Sequence, residues 1–174
     1  MRPLAPAVLA LALTFAPMHT SAQTAPTHAH VVNTFHFEVA ASMARVAPLF
    51  APEAERAWAG DDWKPVFLYP QPGKDVQGAV WTLRHGEVES IWVNTLFDVP
   101  NGRMQYVAFI PGHMVTTVDV RVTSLASIRT AVEVTYTRTA LDPAANDAVQ
   151  SRGNSDRNSG PEWQRGIEGA LGLK

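Results

Sequence analysis

The sequence predicts an α+β fold in which an antiparallel sheet packs on a C-terminal helix, with two short helices after the first strand. Three observations predict it. Period-two alternation runs through six segments between residues 31 and 137. Tight-turn dipeptides separate several of them. A helical stripe closes the chain in "PEWQRGIEGALGL".

The elements follow in order. Residues 1–22 read as a secretory signal: Arg2 supplies the positive end, Leu4 to Phe15 is a short apolar run, and Ser21-Ala22 precedes Gln23 at a small-residue cleavage site. The mature chain of 152 residues, Gln23–Lys174, would be exported, periplasmic or secreted. It would carry 13 Lys and Arg against 16 Asp and Glu, a net −3. No basic run stands out, which argues against a nucleic-acid partner. After the signal, no segment approaches membrane-spanning length. The chain has no cysteine, so its stability must come from packing. Residues 23–30 read as a flexible lead-in and 31–173 as one domain.

"VVNTFHFEV" (31–39) alternates, with Val31, Phe35, Phe37 and Val39 on one side and Thr34, His36 and Glu38 on the other. Met43, Val46, Ala47 and Phe50 then recur at helical spacing behind Ser42, and Pro48 ends or kinks that helix. Pro52 opens a second short helix through Trp58, closed by Gly60. In "DDWKPVFLYPQPG" (61–73), Pro65 and Pro70 bracket an extended stretch and forbid a central strand. This segment is expected to cover the mouth or edge of the sheet, with Trp58 and Trp63 as a lid.

The turns fix a register. Pairing Arg84 with Glu87 sets Leu83 opposite Val88, Trp81 opposite Ser90 and Ala79 opposite Trp92. Pairing Pro100 with Arg103 around Asn101-Gly102 sets Leu96 opposite Val107 and Asn94 opposite Phe109. Pro111-Gly112 then sets Phe109 against Met114 and Val107 against Thr116. The resulting inner face is Ala79, Trp81, Leu83, Trp92, Asn94, Leu96, Val107, Phe109, Met114, Thr116, Val118, Val120 and Val122, continued by Val132, Val134 and Tyr136 in the last strand. Asp142-Pro143 caps a helix through Val149, "SRGNSDRNSG" (151–160) reads as a polar loop, and Trp163, Ile167, Ala170 and Leu171 form the closing stripe.

Over residues 31–173 the chain resembles the START/Bet v 1-like (SRPBCC, polyketide cyclase/dehydrase-related) superfamily. The likeness lies in "WAGDDWKPVFLYP", "GAVWTL", "SIWVNTLFD", "YVAFIPG", "VEVTYTRTAL" and "EWQRGIEGAL". The polar break at 151–160 departs from an unbroken C-terminal helix. The resemblance implies a helix-grip fold: a curved antiparallel sheet wrapped around the C-terminal helix, with a cavity between for an apolar small molecule. Some members of the superfamily also cyclise, dehydrate or hydrolyse their ligands.

On these grounds Trp81, Trp92, Asn94, Phe109, Thr116, Tyr136 and Trp163 are candidate wall residues, with Trp63 and Tyr69 near the mouth. Three readings stand. The first is an exported binding protein for an apolar or amphipathic small molecule, lipid-like or polyketide-like. The second is a cyclase, dehydratase or hydrolase using His113, Tyr136 or Asn94. The third is an envelope interaction protein whose cavity is filled by its own side chains. The absence of P-loop, GxGxxG, GxSxG and HExxH patterns implies neither cofactor nor metal. Asp61 and Asp62 read as turn residues.

Overall fold

The computed structural model describes residues 27–173. Seven antiparallel strands form one sheet in the order β1-β7-β6-β5-β4-β3-β2. They are β1 (His30–Val39), β2 (Val66–Tyr69), β3 (Val80–His85), β4 (Val88–Asp98), β5 (Arg103–Ile110), β6 (Met114–Ala126) and β7 (Arg129–Ala140). Helix α1 (Met43–Val46) runs into a 3₁₀ turn at Ala47–Phe50, and a second 3₁₀ turn spans Ala54–Ala57. These short helices carry the chain from one sheet edge, β1, to the other, β2. Helices α2 (Asn146–Asp156) and α3 (Gly160–Ala170) complete the fold. The curved sheet, the terminal helices and the short helices after β1 are the predicted helix-grip architecture.

The alternation in β1 is as read: Phe35, Phe37 and Val39 are buried while Thr34, His36 and Glu38 face solvent. The first meander turn keeps the expected faces but not the partners. His85 pairs with Val88, so Trp81 lies opposite Trp92 and Leu83 opposite Ser90. The loop is the two-residue Gly86-Glu87, with Gly86 at φ 58.

The next two turns also differ from expectation, the first by two residues and the second by one. Asp98, not Pro100, pairs with Arg103, because Val99–Asn101 folds into a 3₁₀ turn that Gly102 ends in the left-handed conformation. A β-bulge at Thr95 then inserts one more residue. Met104, Tyr106 and Ala108 therefore point inward on β5, and Val107 and Phe109 do not. Phe109 is 40% exposed and pairs across the outer face with Ile91. The bulge likewise sends Phe97, rather than Leu96, to the core. At Pro111-Gly112, Ile110 pairs with Met114. That one-residue slip cancels the bulge, and Met114, Thr116, Val118, Val120 and Val122 are all buried as expected.

Two terminal segments also differ. Residues 27–30 are tied down rather than loose: Ala29 N–H donates to Asn146 Oδ1 at 2.7 Å, and Ala140 N–H donates to Ala29 O. The expected loop at 151–160 is mostly helix α2. Its weak helix formers are held by tertiary contacts, with Val149, Gly153 and Asp156 buried. Arg138 grips Asp156 with two bonds of 2.7 Å and also donates to Thr116 Oγ1 at 3.0 Å. Pro161, which has no N–H to continue the ladder, separates α2 from α3. Ala170 is exposed, whereas Ile167 of α3 enters the main core with Phe35, Phe50, Tyr106 and Val134. The expected signal at 1–22 lies outside the described residues.

Candidate functional site

The sheet and α3 do not close on each other. Between them lies a cavity of about 320 Å³, lined by Trp58, Trp63, Trp81, Trp92 and Trp163 together with Tyr106, Tyr136, Val118 and Val120. The chain has five tryptophans, and all five are in this wall. Trp81 and Trp92 come from neighbouring strands and stack at 4.8 Å with planes 14° apart. Trp63 leans on both, at 5.8 and 6.1 Å. Trp163 of α3 meets Trp58 edge-on at 5.0 Å. Trp58 and Trp63 flank Gly60, which takes the positive φ of 104 that lets the chain reverse between them.

Residues 61–73 supply the far rim. β2 is an edge strand between Pro65 and Pro70, pairing Phe67 with Trp81. Phe67 plugs the cluster of Ala79, Trp81 and Leu83. Arg56 donates to Pro65 O at 2.7 Å and ties the segment back to the short helices.

The rings are locked by their nitrogens. Trp58 Nε1 donates to Leu49 O, Trp63 Nε1 to Pro52 O, Trp81 Nε1 to Asn94 Oδ1 and Trp92 Nε1 to Ser90 Oγ, all at 2.7–2.9 Å. These four tryptophans thus present ring carbon, rather than a donor, to the cavity.

Among the described residues, the carboxyls of Glu55 and Glu162, the hydroxyl of Tyr136 and the indole N–H of Trp163 line the cavity without a protein hydrogen-bond partner. Glu55 is 8% exposed and looks into the cavity. Burial, reinforced by the charge of Asp75, pushes it well above the usual carboxylate range. Asp75 is itself raised, chiefly by desolvation. Burial also raises the Tyr136 hydroxyl, with Arg138 pulling the other way from 4.6 Å over the ring. Tyr106 is raised by burial too, and its hydroxyl is spent on Phe50 O.

At the mouth, Glu162 opens the first turn of α3, and His85 Nδ1 lies 2.8 Å from Asp62 Oδ2. That hydrogen bond holds Asp62 below its ordinary value. A second hollow of about 220 Å³ adjoins the first, sharing Trp63, His85, Trp92 and Tyr136, with Thr116, Arg138 and Arg152 on its far wall.

Of the residues expected in the wall, the structure brings together Trp63, Trp81, Trp92, Tyr136 and Trp163 around the first cavity. Thr116 lies on the second hollow, its hydroxyl occupied by Arg138. Three expectations need correction. Asn94 is fully buried behind Trp81, spending its oxygen on that indole and its amide on Val76 O, so it serves the scaffold. Phe109 is on the outer face. Tyr69 is 62% exposed, because a register shift after Phe67 turns it away from the cavity. His113 sits in the β5–β6 turn and lines neither cavity.

Three features escaped the sequence reading. Tyr106 was hidden by the bulge at Thr95. Glu55 was hidden in a short helix, although an acid three residues before Trp58 in "AERAW" was a usable signal. The Asp62–His85 pair spans a sequence gap that no local motif records.

No protein-family model matches the sequence, and neither does any curated protein. Solved structures do match. Truncated norcoclaurine synthase from Thalictrum flavum superposes with a TM-score of 0.60 at 14% identity, over 85% of this chain and 98% of that one. A Thermobifida fusca protein gives 0.61 at 18% identity, over 82% and 95%. An uncharacterised protein from Rhizobium leguminosarum gives 0.58 at 15% identity, over 82% and 97%. Together with the strand order and the cavity beneath α3, these likenesses show that the chain has the helix-grip fold of the Bet v 1-like (SRPBCC) proteins.

Proposed function

We propose that this is an exported protein that binds a small amphipathic molecule in the tryptophan-walled cavity. The observation that carries the reading is a preformed space of about 320 Å³ whose ring walls are pinned by their own hydrogen bonds, with a few polar groups, Glu55 and Tyr136 among them, free to meet a guest. That is the usual composition of a ligand site: mostly apolar, with few polar groups to orient the guest. The carboxyl of Glu55 and the hydroxyl of Tyr136, unspent on the protein, are free to hydrogen-bond a ligand there. An open volume against Trp81 and Trp92 weighs against a core filled by its own side chains. The test is native mass spectrometry of protein purified from its own source, followed by extraction. A stoichiometric adduct of a few hundred daltons is expected. A bare mass, with no shift on adding apolar or amphipathic probes, would end the binding reading.

One observation favours a second reading, catalysis in the same cavity: the Asp62–His85 pair at the mouth. A histidine oriented by a carboxylate is a familiar general base. If the cavity catalyses, an extracted ligand returned to the protein is converted to a new species, and His85→Ala stops the conversion. Unchanged recovery of the ligand would leave binding alone.

A further inference from the structure

The lining of the cavity carries carboxyls but no fixed positive charge. Beside Tyr106 and Tyr136 its ionisable residues are Glu55, Glu162 and His85, with no Lys or Arg; Arg138 and Arg152 lie on the adjoining hollow. Five indoles and two phenols surround those carboxyls. The faces of such rings are electronegative, and they attract a cation that has shed its water. Four of the five indole N–H groups are already spent on protein acceptors, which leaves Trp163 Nε1 and the Tyr136 hydroxyl among the few donors in the wall. An anionic guest would find two carboxyls and no Lys or Arg in this lining. A neutral hydrocarbon would leave Glu55 buried without a partner. A wall of this kind is matched by a positive nitrogen on an apolar body.

The protein itself shows the contact. Arg138 lies 4.6 Å from the centroid of Tyr136, on a ring that also lines the cavity. Its charge is neutralised by Asp156 and so does not repel a second cation strongly.

We propose that the cavity selects an organic ammonium ion, quaternary or protonated, carrying an aromatic or short alkyl body, with the ring walls holding the cationic head and Glu55 as its counter-charge. This deepens the binding reading above and rests on it. In the empty cavity, burial and the charge of Asp75 favour the protonated form of Glu55. Arrival of the cation reverses that preference, and the proton leaves to solvent. Asp75, Tyr106 and Tyr136 are the titratable groups coupled to Glu55, and His85 and Glu162 share its wall. The tyrosines are raised and remain neutral near pH 7, and Asp75 acts on Glu55 in the empty and filled states alike.

The test compares three soluble probes by calorimetry on the full mature chain: benzyldimethyl-hydroxyethyl-ammonium, the alcohol in which carbon replaces its nitrogen, and benzylsulfonate. The ammonium is expected to bind at least about tenfold tighter than its carbon isostere, the scale of a desolvated cation–π contact. The sulfonate is expected not to bind. The heat of ammonium binding should vary with the ionisation enthalpy of the buffer, reporting the released proton, while that of the isostere should not. Glu55→Gln should weaken the ammonium by about tenfold or more, abolish the buffer dependence and leave the isostere unchanged. Equal or tighter binding of the isostere overturns the cation assignment and leaves the binding reading standing. So does ammonium binding that is indifferent to Glu55→Gln. If no probe binds but native extraction returns a neutral compound, the cation assignment also falls alone. If nothing binds and nothing is extracted, both readings fall.

Discussion

Glu55 is the residue on which the site's chemistry turns, and it leaves a signature in stability. The folded chain keeps its proton at pH values where the unfolded chain, with an ordinary carboxyl near 4.5, has lost it. Between those two values the native state binds more protons than the unfolded one, so stability falls as pH rises through the window. Glu55→Gln removes that penalty. The variant should melt at a higher temperature than the parent at pH 7, with the gap closing below about pH 4, where both side chains are neutral. A melting curve taken at each pH decides it, and a gap that stays the same in acid would mean that it does not come from the titration of Glu55. At this scale the sequence was least legible. Trp63, Trp81, Trp92, Tyr136 and Trp163 could be found because large rings at alternating positions have few places to go. Asn94 could not be told from a ligand-facing amide, since what settles its role is Trp81 Nε1 and Val76 O, and these are brought to it only by the folded sheet.

At the scale of elements, α2 depends on one anchor. Arg138 and Asp156 are 12% and 8% exposed and joined by two short bonds. Removing one partner strands the other charge, at a cost of about 3–5 kcal/mol. Asp156→Ala should therefore lower the melting temperature by roughly 10 °C or more, whereas a loss of only a degree or two would show that α2 is held by its apolar contacts. Helix α3 has a different constraint. A methyl group on Gly166 would lie 2.9 Å from Trp58 O, so Gly166→Ala should push α3 away from the short helices and loosen the Trp58–Trp163 contact. Weaker ligand binding with a small loss of stability is expected, and a gain in both would refute the close approach. Strands and hairpins were legible to within two residues, and side-chain parity survives a two-residue turn error. The bulge at Thr95 was not, since nothing local distinguishes an inserted residue. Its effect on β5 was hidden by the opposite slip at Pro111-Gly112. The continuation of the helix from 151 to 156 was missed because Ser151, Gly153 and Asn154 are poor helix formers, and only Arg138, far away in sequence, reveals why they fold as one.

For the molecule as a whole, element order was enough to read the fold, because a strand, two short helices, a long meander and a final amphipathic stripe can cover one apolar face in few ways. The width of the gap beneath α3 was not readable, since it is set by sheet curvature and by how closely α3 approaches Trp58 at Gly166. Filling that gap separates ligand binding from folding. Val118 is buried on β6 and lines the cavity. Val118→Phe should abolish the native mass adduct while changing stability by less than the roughly 1–3 kcal/mol expected of overpacking a closed core. If the chain is exported as proposed, sequencing the protein from its own source should begin at Gln23, and an intact Met1 would reject that proposal. One consequence of the tryptophan wall remains. Because every indole of the chain faces the same hollow, ultraviolet emission from this protein has a single address. A guest entering the cavity, and dehydrating or quenching those rings, alters the whole fluorescence spectrum rather than a fraction of it. The unlabelled protein is thereby an optical sensor of its own occupancy, suited to titration at nanomolar concentration and to following a guest's arrival in real time.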